Sequence, residues 1–137
     1  MSVSERWFPG HLRTLTEVEC RELLEASQVG RVAYCDEHGP VVVPVNYTLD
    51  GDGVLLRVSP HTSLALHLRS APAAFQVDEH DDYTQSGWSV LVRGQATWVD
   101  PADHPAADRL SPWPEGQRTL HVRIEAREIT GRRLVAA

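Results

Sequence analysis

The sequence predicts a mainly β protein, a β-barrel of six or seven antiparallel strands with small helices, and three observations lead there. Apolar and polar residues alternate in short segments divided by tight-turn signals, the pattern of half-buried strands. Helical spacing is confined to two short stretches. The segment from Trp88 to Val99 keeps strict parity, with Trp, Val, Val, Gly, Ala and Trp at even positions and Ser, Leu, Arg, Gln, Thr and Val at odd ones. Fully extended it would span ~40 Å, beyond the common strand length. A strand that long bends, Gly94 at its middle offers the place, and a long bent strand argues for a barrel over a flat sheet.

Residues 1–14 lack periodicity and contain Trp7, Phe8, Pro9 and Gly10, so they read as an N-terminal arm whose aromatics pack on the body. Residues 15–137 read as a single domain. A helix opens it: Thr16 with Glu19 makes a capping box, Leu15 and Cys20 stand where a hydrophobic staple would, and Gly30 fits a C-terminal cap. Arg31 to Cys35 and Val41 to Leu49 alternate as a hairpin around Asp36-Glu37-His38-Gly39. Asp50-Gly51-Asp52-Gly53 then turns the chain into a third antiparallel strand, Val54 to Val58. Ser59-Pro60 changes the period, because Ser is a good N-cap, Pro suits the first helical position, and Leu64, Ala65 and Leu68 share a helical face. Ala73 to Asp78 alternates as a fourth strand, Glu79 to Ser86 is a polar loop, and the long strand is the fifth. Pro101, Pro105, Pro112 and Pro114 keep the next connection irregular, with a short helix through Ala106 to Leu110. Thr119 to Ile124 and Ile129 to Val135 close the sheet.

The chain of 137 residues is long enough for one domain with a real core. No apolar run approaches the ~20 residues that span a bilayer, so no transmembrane segment is expected. Glu5, Arg6 and Trp7 stand where an export signal would need a basic start and an apolar stretch, so the cytoplasm is the expected location. Cys20 and Cys35 have no CxxC spacing and read as buried free thiols. A formal net charge of −6 disfavours nucleic acid as a partner and leaves room for a small anionic ligand in a local pocket.

Chemistry has four candidate locations. Backbone N–H groups at a helix start, with the hydroxyls of Thr62 and Ser63, would receive an anion such as phosphate, although plain N-capping explains the same residues. His61 and His67 lie six apart on poorly matched helical faces, which does not suit a shared metal. Pro44 cannot donate to a ladder, so its strand borders an edge, a bulge or a split in the sheet, and a gap in a barrel wall would admit a planar ligand. Gly87-Trp88-Ser89 joins close backbone approach to a flat apolar face and a small hydroxyl, or simply packs in the core. Arg57 and Arg93 would meet a phosphate or be solvated. The acidic run Asp78-Glu79-His80-Asp81-Asp82 lacks the glycine and terminal glutamate of a calcium loop and reads as solvated, so no metal site is expected.

The ordered set Val29-Gly30-Arg31-Val32-Ala33, Val41-Val42-Val43-Pro44-Val45-Asn46-Tyr47, Phe75-Gln76-Val77-Asp78, Ser86 to Gly94, Pro112-Trp113 and Ile129-Thr130-Gly131-Arg132-Arg133 resembles the pyridoxamine 5′-phosphate oxidase-like family, in the branch that includes nitroimidazole-resistance proteins. The resemblance spans nearly the whole chain. It implies a split β-barrel of the FMN-binding type and a homodimer with FMN at the subunit interface. On that basis Pro44, Val45 and Asn46 would run beside the flavin ring. Arg57, Val58, Ser59, Thr62 and Ser63 would match the phosphate-binding stretch, and Trp88 and Ser89 would reach the flavin from the partner subunit. Trp113 and Arg118 would contribute from the Pro-rich segment. Many relatives carry a basic residue at the position of Ser63-Leu64, and this chain has none there.

The function implied is that of an FMN-dependent oxidoreductase acting on a small molecule, in which the cofactor carries the electrons and no side-chain acid or base is strictly required. Two alternatives share the fold: a non-enzymatic module holding a flavin or haem, and a deazaflavin-dependent reductase. The long anionic tail of a deazaflavin would want a basic groove, which this acidic chain does not advertise.

Overall fold

The computed structural model describes residues 11–110 and 119–135. The elements, in chain order, are β1 (His11–Thr14), α1 (Glu17–Glu25), β2 (Val29–Asp36), β3 (Gly39–Asp50), β4 (Gly53–Val58), α2 (Ser63–His67), β5 (Ser70–Asp81), β6 (Ser86–Val99) and β7 (Leu120–Val135). The seven strands form one antiparallel sheet in the order β1-β7-β4-β3-β2-β5-β6, and a further β6–β7 pairing closes it into a barrel. Closure is incomplete on the other side. β2 and β5 pair only through Arg31–Ala33 and Ala74–Gln76, and β3 meets β4 only from Asn46 to Asp50. The result is a split β-barrel.

Parity fills the interior. Val32, Phe75, Val90, Val92, Ala96, Val122 and Ile124 are fully buried, each large one contributing ~1.5–3 kcal/mol through removal from water. Phe75 meets Tyr47 edge to face with ring centroids 4.7 Å apart. Phe75 also explains Gly30, which lies in β2 and not at a helix C-cap: a Cβ there would stand 2.3 Å from the Phe75 Cζ. Ala26 takes the C-cap position of α1 instead.

The capping box of α1 forms as predicted, Glu19 N–H donating to Thr16 Oγ1 at 3.2 Å and Thr16 N–H to Glu19 Oε1 at 3.0 Å. Leu15 and Cys20 are both buried and press against Gly131, where a Cβ would lie 2.6 Å from Cys20 Sγ. Tyr47 donates its hydroxyl to the Leu24 carbonyl, tying the end of α1 to β3. Burial pushes that phenol up to about 12, against a smaller opposing effect of Ser27, which keeps it a donor.

Several sequence expectations are corrected. Residues 11–14, assigned to the arm, form β1 and pair with β7; residues 1–10 lie outside the described part. Cys35 is exposed, because it occupies an outward position of β2. The second helix starts three residues late, at Ser63, since Thr62 and not Ser59 caps it: Thr62 Oγ1 accepts from Ala65 N–H at 3.1 Å and donates to the Ser59 carbonyl at 2.8 Å. The loop expected over Glu79–Ser86 shrinks to residues 82–85, because the β5–β6 ladder continues to Asp81 and Ser86. Residues 101–109 carry two 3-10 turns, Pro101–Asp103 and Pro105–Arg109. The two closing strands are one, β7. Among the described residues no helix is long and apolar enough to cross a membrane.

Candidate functional site

From Gly39 to Val45, β3 has β2 on one side and no β4 partner on the other. Pro44, which has no N–H to give, sits within that unpaired length. The split it borders is a cavity of about 490 Å³. Val43, Pro44, Val45 and Asn46 form one wall, Arg57, Val58 and Ser59 at the end of β4 another, and Thr62, Ser63 and Leu64 the polar end, with Val29 and Tyr34 from β2 beneath. The eight residues predicted from β3, β4 and the start of α2 therefore share one pocket.

Alternation sorts their roles. Val45 and Val58 are buried and point inward, whereas Pro44 and Asn46 face outward on β3. Asn46 stands opposite Arg57, and Arg57 opposite His121, so these three side chains form a row across β3, β4 and β7. Burial holds the His121 imidazole below its ordinary range, the neighbouring Arg57 charge adds to this, and Asp100 opposes it. A neutral His121 leaves Arg57 as the cation of that row. The pocket thus presents apolar walls to a flat ring and an arginine with the hydroxyls of Ser59 and Ser63 to an anion, the Thr62 hydroxyl being taken up by the helix cap, a combination that fits a phosphorylated planar cofactor. α2 is only five residues long, so its dipole adds little and the side chains carry the polar end.

His67 pairs poorly with His61 as a metal ligand, and the structure places it behind the pocket lining, against Ser63. Its Nδ1 lies 2.7 Å from the Ser63 carbonyl and 3.2 Å from Ser63 Oγ, and its Nε2 lies 3.1 Å from Glu37 Oε1. Its ring centroid is 5.6 Å from that of Tyr34. The i,i+4 spacing of Ser63 and His67 on a helix was the available signal.

Trp88 and Ser89 are elsewhere. They line a separate cavity of about 360 Å³ with Gly87, Asp78 to His80, Leu12, Arg132 and Leu134, and the two pockets share no residue. Arg93 also lies away from the first pocket, in a third, largely apolar groove with Cys35 and Pro72. Trp113 and Arg118 fall outside the described residues. Asp78 pairs with Arg31 across β2 and β5, which gives the start of the acidic run a structural partner.

The sequence profile of the pyridoxamine 5′-phosphate oxidase family matches residues 16–133. An uncharacterised protein of Mycobacterium tuberculosis, Rv0080, is 32% identical over 143 residues, covering 97% of this chain and 94% of its own length. The FAD-binding protein of Mycobacterium smegmatis superposes with a TM-score of 0.76 at 34% identity, over 88% of this chain and 98% of that one. A FAD-binding protein of Mesorhizobium loti gives a TM-score of 0.76 at 24% identity, over 91% of this chain and 98% of that one, and shows the shared fold.

Proposed function

The chain belongs to the pyridoxamine 5′-phosphate oxidase family, and from that premise we propose that it is a flavoprotein holding FMN as the cofactor of an oxidoreductase that acts on a small molecule. The observation that carries this reading is the convergence of Pro44, Val45, Asn46, Arg57, Val58, Ser59, Thr62 and Ser63 on one cavity of about 490 Å³. Val45 and Pro44 would pack along the ring system, and Arg57, Ser59 and Ser63 would bind the phosphate. A bound flavin supplies the electron transfer, and the chain supplies position, water exclusion and charge. Trp88 and Ser89 would enter the same site from a second subunit of a homodimer, which accounts for their distance from it within one chain.

FAD is the second reading, favoured by the FAD-binding relative at 34% identity. Both are tested by the visible spectrum of the purified protein before and after adding FMN or FAD, with the released flavin identified by mass. The expected result is a yellow protein whose flavin bands shift on binding and whose bound flavin is FMN. Recovered FAD would move the cofactor assignment to the second reading, and a colourless protein that takes up neither would end both.

A further inference from the structure

Both ring nitrogens of His67 face oxygens that have no hydrogen to give. Nδ1 points at the Ser63 carbonyl, 2.7 Å away, and Nε2 at the Glu37 carboxylate, 3.1 Å away. Only the doubly protonated imidazolium donates to both at once, and either neutral tautomer leaves a ring lone pair against an oxygen lone pair. The Ser63 hydroxyl completes the arrangement, 3.2 Å from Nδ1 and on the lining of the pocket. When Nδ1 carries a proton, that hydroxyl has no acceptor on the ring and keeps its hydrogen for the cavity. When Nδ1 is bare, it takes the hydrogen and turns the hydroxyl away from a ligand.

We propose that His67 is a positioning residue that makes the Ser63 end of the pocket a pH-gated subsite for a phosphoryl group. Protonated, it holds Ser63 as a donor and adds a positive charge behind it; neutral, it withdraws the charge, and in the Nε2–H tautomer, whose proton the Glu37 carboxylate accepts, the bare Nδ1 withdraws the donor as well. Glu37 and Asp36 of the β2–β3 turn and Tyr34 of β2 face the ring from the other side. The Ser63 carbonyl, followed by Glu37 and Asp36, raises the titration of His67 above the ordinary imidazole range against the opposing effect of burial. The subsite is therefore in its binding form below the raised value and is lost as pH rises through it. The inference takes the phosphate position from the flavin reading above.

The test follows the His67 ring by NMR across pH 5.5–8.5, with and without inorganic phosphate, beside FMN and riboflavin titrations read by flavin fluorescence. Linkage requires that phosphate raise the His67 midpoint and that FMN bind wild type, relative to His67→Gln, about 3- to 10-fold more tightly at low pH than at high pH. The Gln variant also reports the phosphomonoester's own ionisation near pH ~6, which acts in the opposite direction. Glu37→Gln, outside the pocket lining, should lower the His67 midpoint, Ser63→Ala should reduce the pH dependence to the part carried by the His67 charge, and riboflavin should show none. A His67 midpoint unmoved by phosphate and by FMN, or a His67→Gln profile that matches wild type, overturns the proposal. If phosphate raises the midpoint while FMN binds at no pH, the anion subsite stands and the flavin reading falls.

Discussion

Gly94 fixes the geometry of the longest ladder in the barrel. A Cβ on it would lie 1.8 Å from the Glu125 carbonyl oxygen and 2.8 Å from the Glu125 carbonyl carbon. The neighbour is backbone and cannot swing aside, so the β6–β7 ladder must separate. Gly94→Ala is expected to cost about 3 kcal/mol, the upper part of the overpacking range, in urea denaturation at neutral pH. Thr97→Ala, at an exposed position of the same strand, is expected to stay within about 0.5 kcal/mol. A Gly94→Ala protein as stable as the Thr97 control would show that the ladder absorbs the extra carbon. The glycine itself was legible, as the bend of a strand too long to stay straight; the carbonyl it accommodates is 31 residues away and left no trace in the local pattern.

At the scale of elements, β7 shows what a pattern reader loses. Its pairing with β6 slips between Arg93 and Gly94, so that Arg127 has no counterpart, and inward parity changes from Val122 and Ile124 to Ile129 and Gly131. One bulged residue therefore reads as a break between two strands. The start of α2 failed for another reason: Ser59 and Thr62 both carry cap signals, and the pair forms one turn in which Ser59 accepts from Thr62. The pocket residues were legible by resemblance, because strand ends and a proline hold their order in the chain, whereas His67 acts through a contact with a turn 30 residues away. Another such contact ties the β3–β4 turn to the rest. Asp50 Oδ2 accepts from Arg123 Nε at 2.9 Å and lies 2.7 Å from His104 Nδ1, and Arg123 Nη2 donates to the Asp50 carbonyl at 2.9 Å. Burial works to raise the Asp50 carboxyl, and His104 and Arg123 together outweigh it, so its value is lowered in the fold. A lowered value means stability that is full above the ordinary 3.8 and drains away as pH falls through the folded value. Asp50→Asn is expected to lose about 1.5–3 kcal/mol at pH 7 and to flatten that acid limb, read by denaturant titrations at pH 7, 4 and 3. A variant with an acid limb as steep as wild type would assign the limb to other carboxylates.

The whole molecule carries an apolar surface that single exposed side chains do not explain. Val42 is 61% exposed and Val29 56% exposed. Val42 stands opposite Ala33, and Ala33 opposite Ala74, giving an apolar row across three strands on the outer face. Isolated exposed hydrophobes are ordinary, but a row that continues into the apolar groove of Pro40, Ala71 and Pro72 is the kind of patch that meets a partner. The split holding Pro44 and Asn46 opens on the same strand, β3, which puts the pocket beside this face, and the homodimer proposed above would use it. Sedimentation equilibrium is expected to give about twice the chain mass of 15.3 kDa. Val42→Asp places a charge in the row, so it should shift the protein toward monomer and weaken FMN binding in step with dissociation, making the apparent affinity depend on protein concentration. A wild-type monomer would remove the shared site. A monomeric Val42→Asp protein that binds FMN as tightly as wild type would show that the cavity of one chain suffices and that Trp88 and Ser89 take no part in holding the flavin.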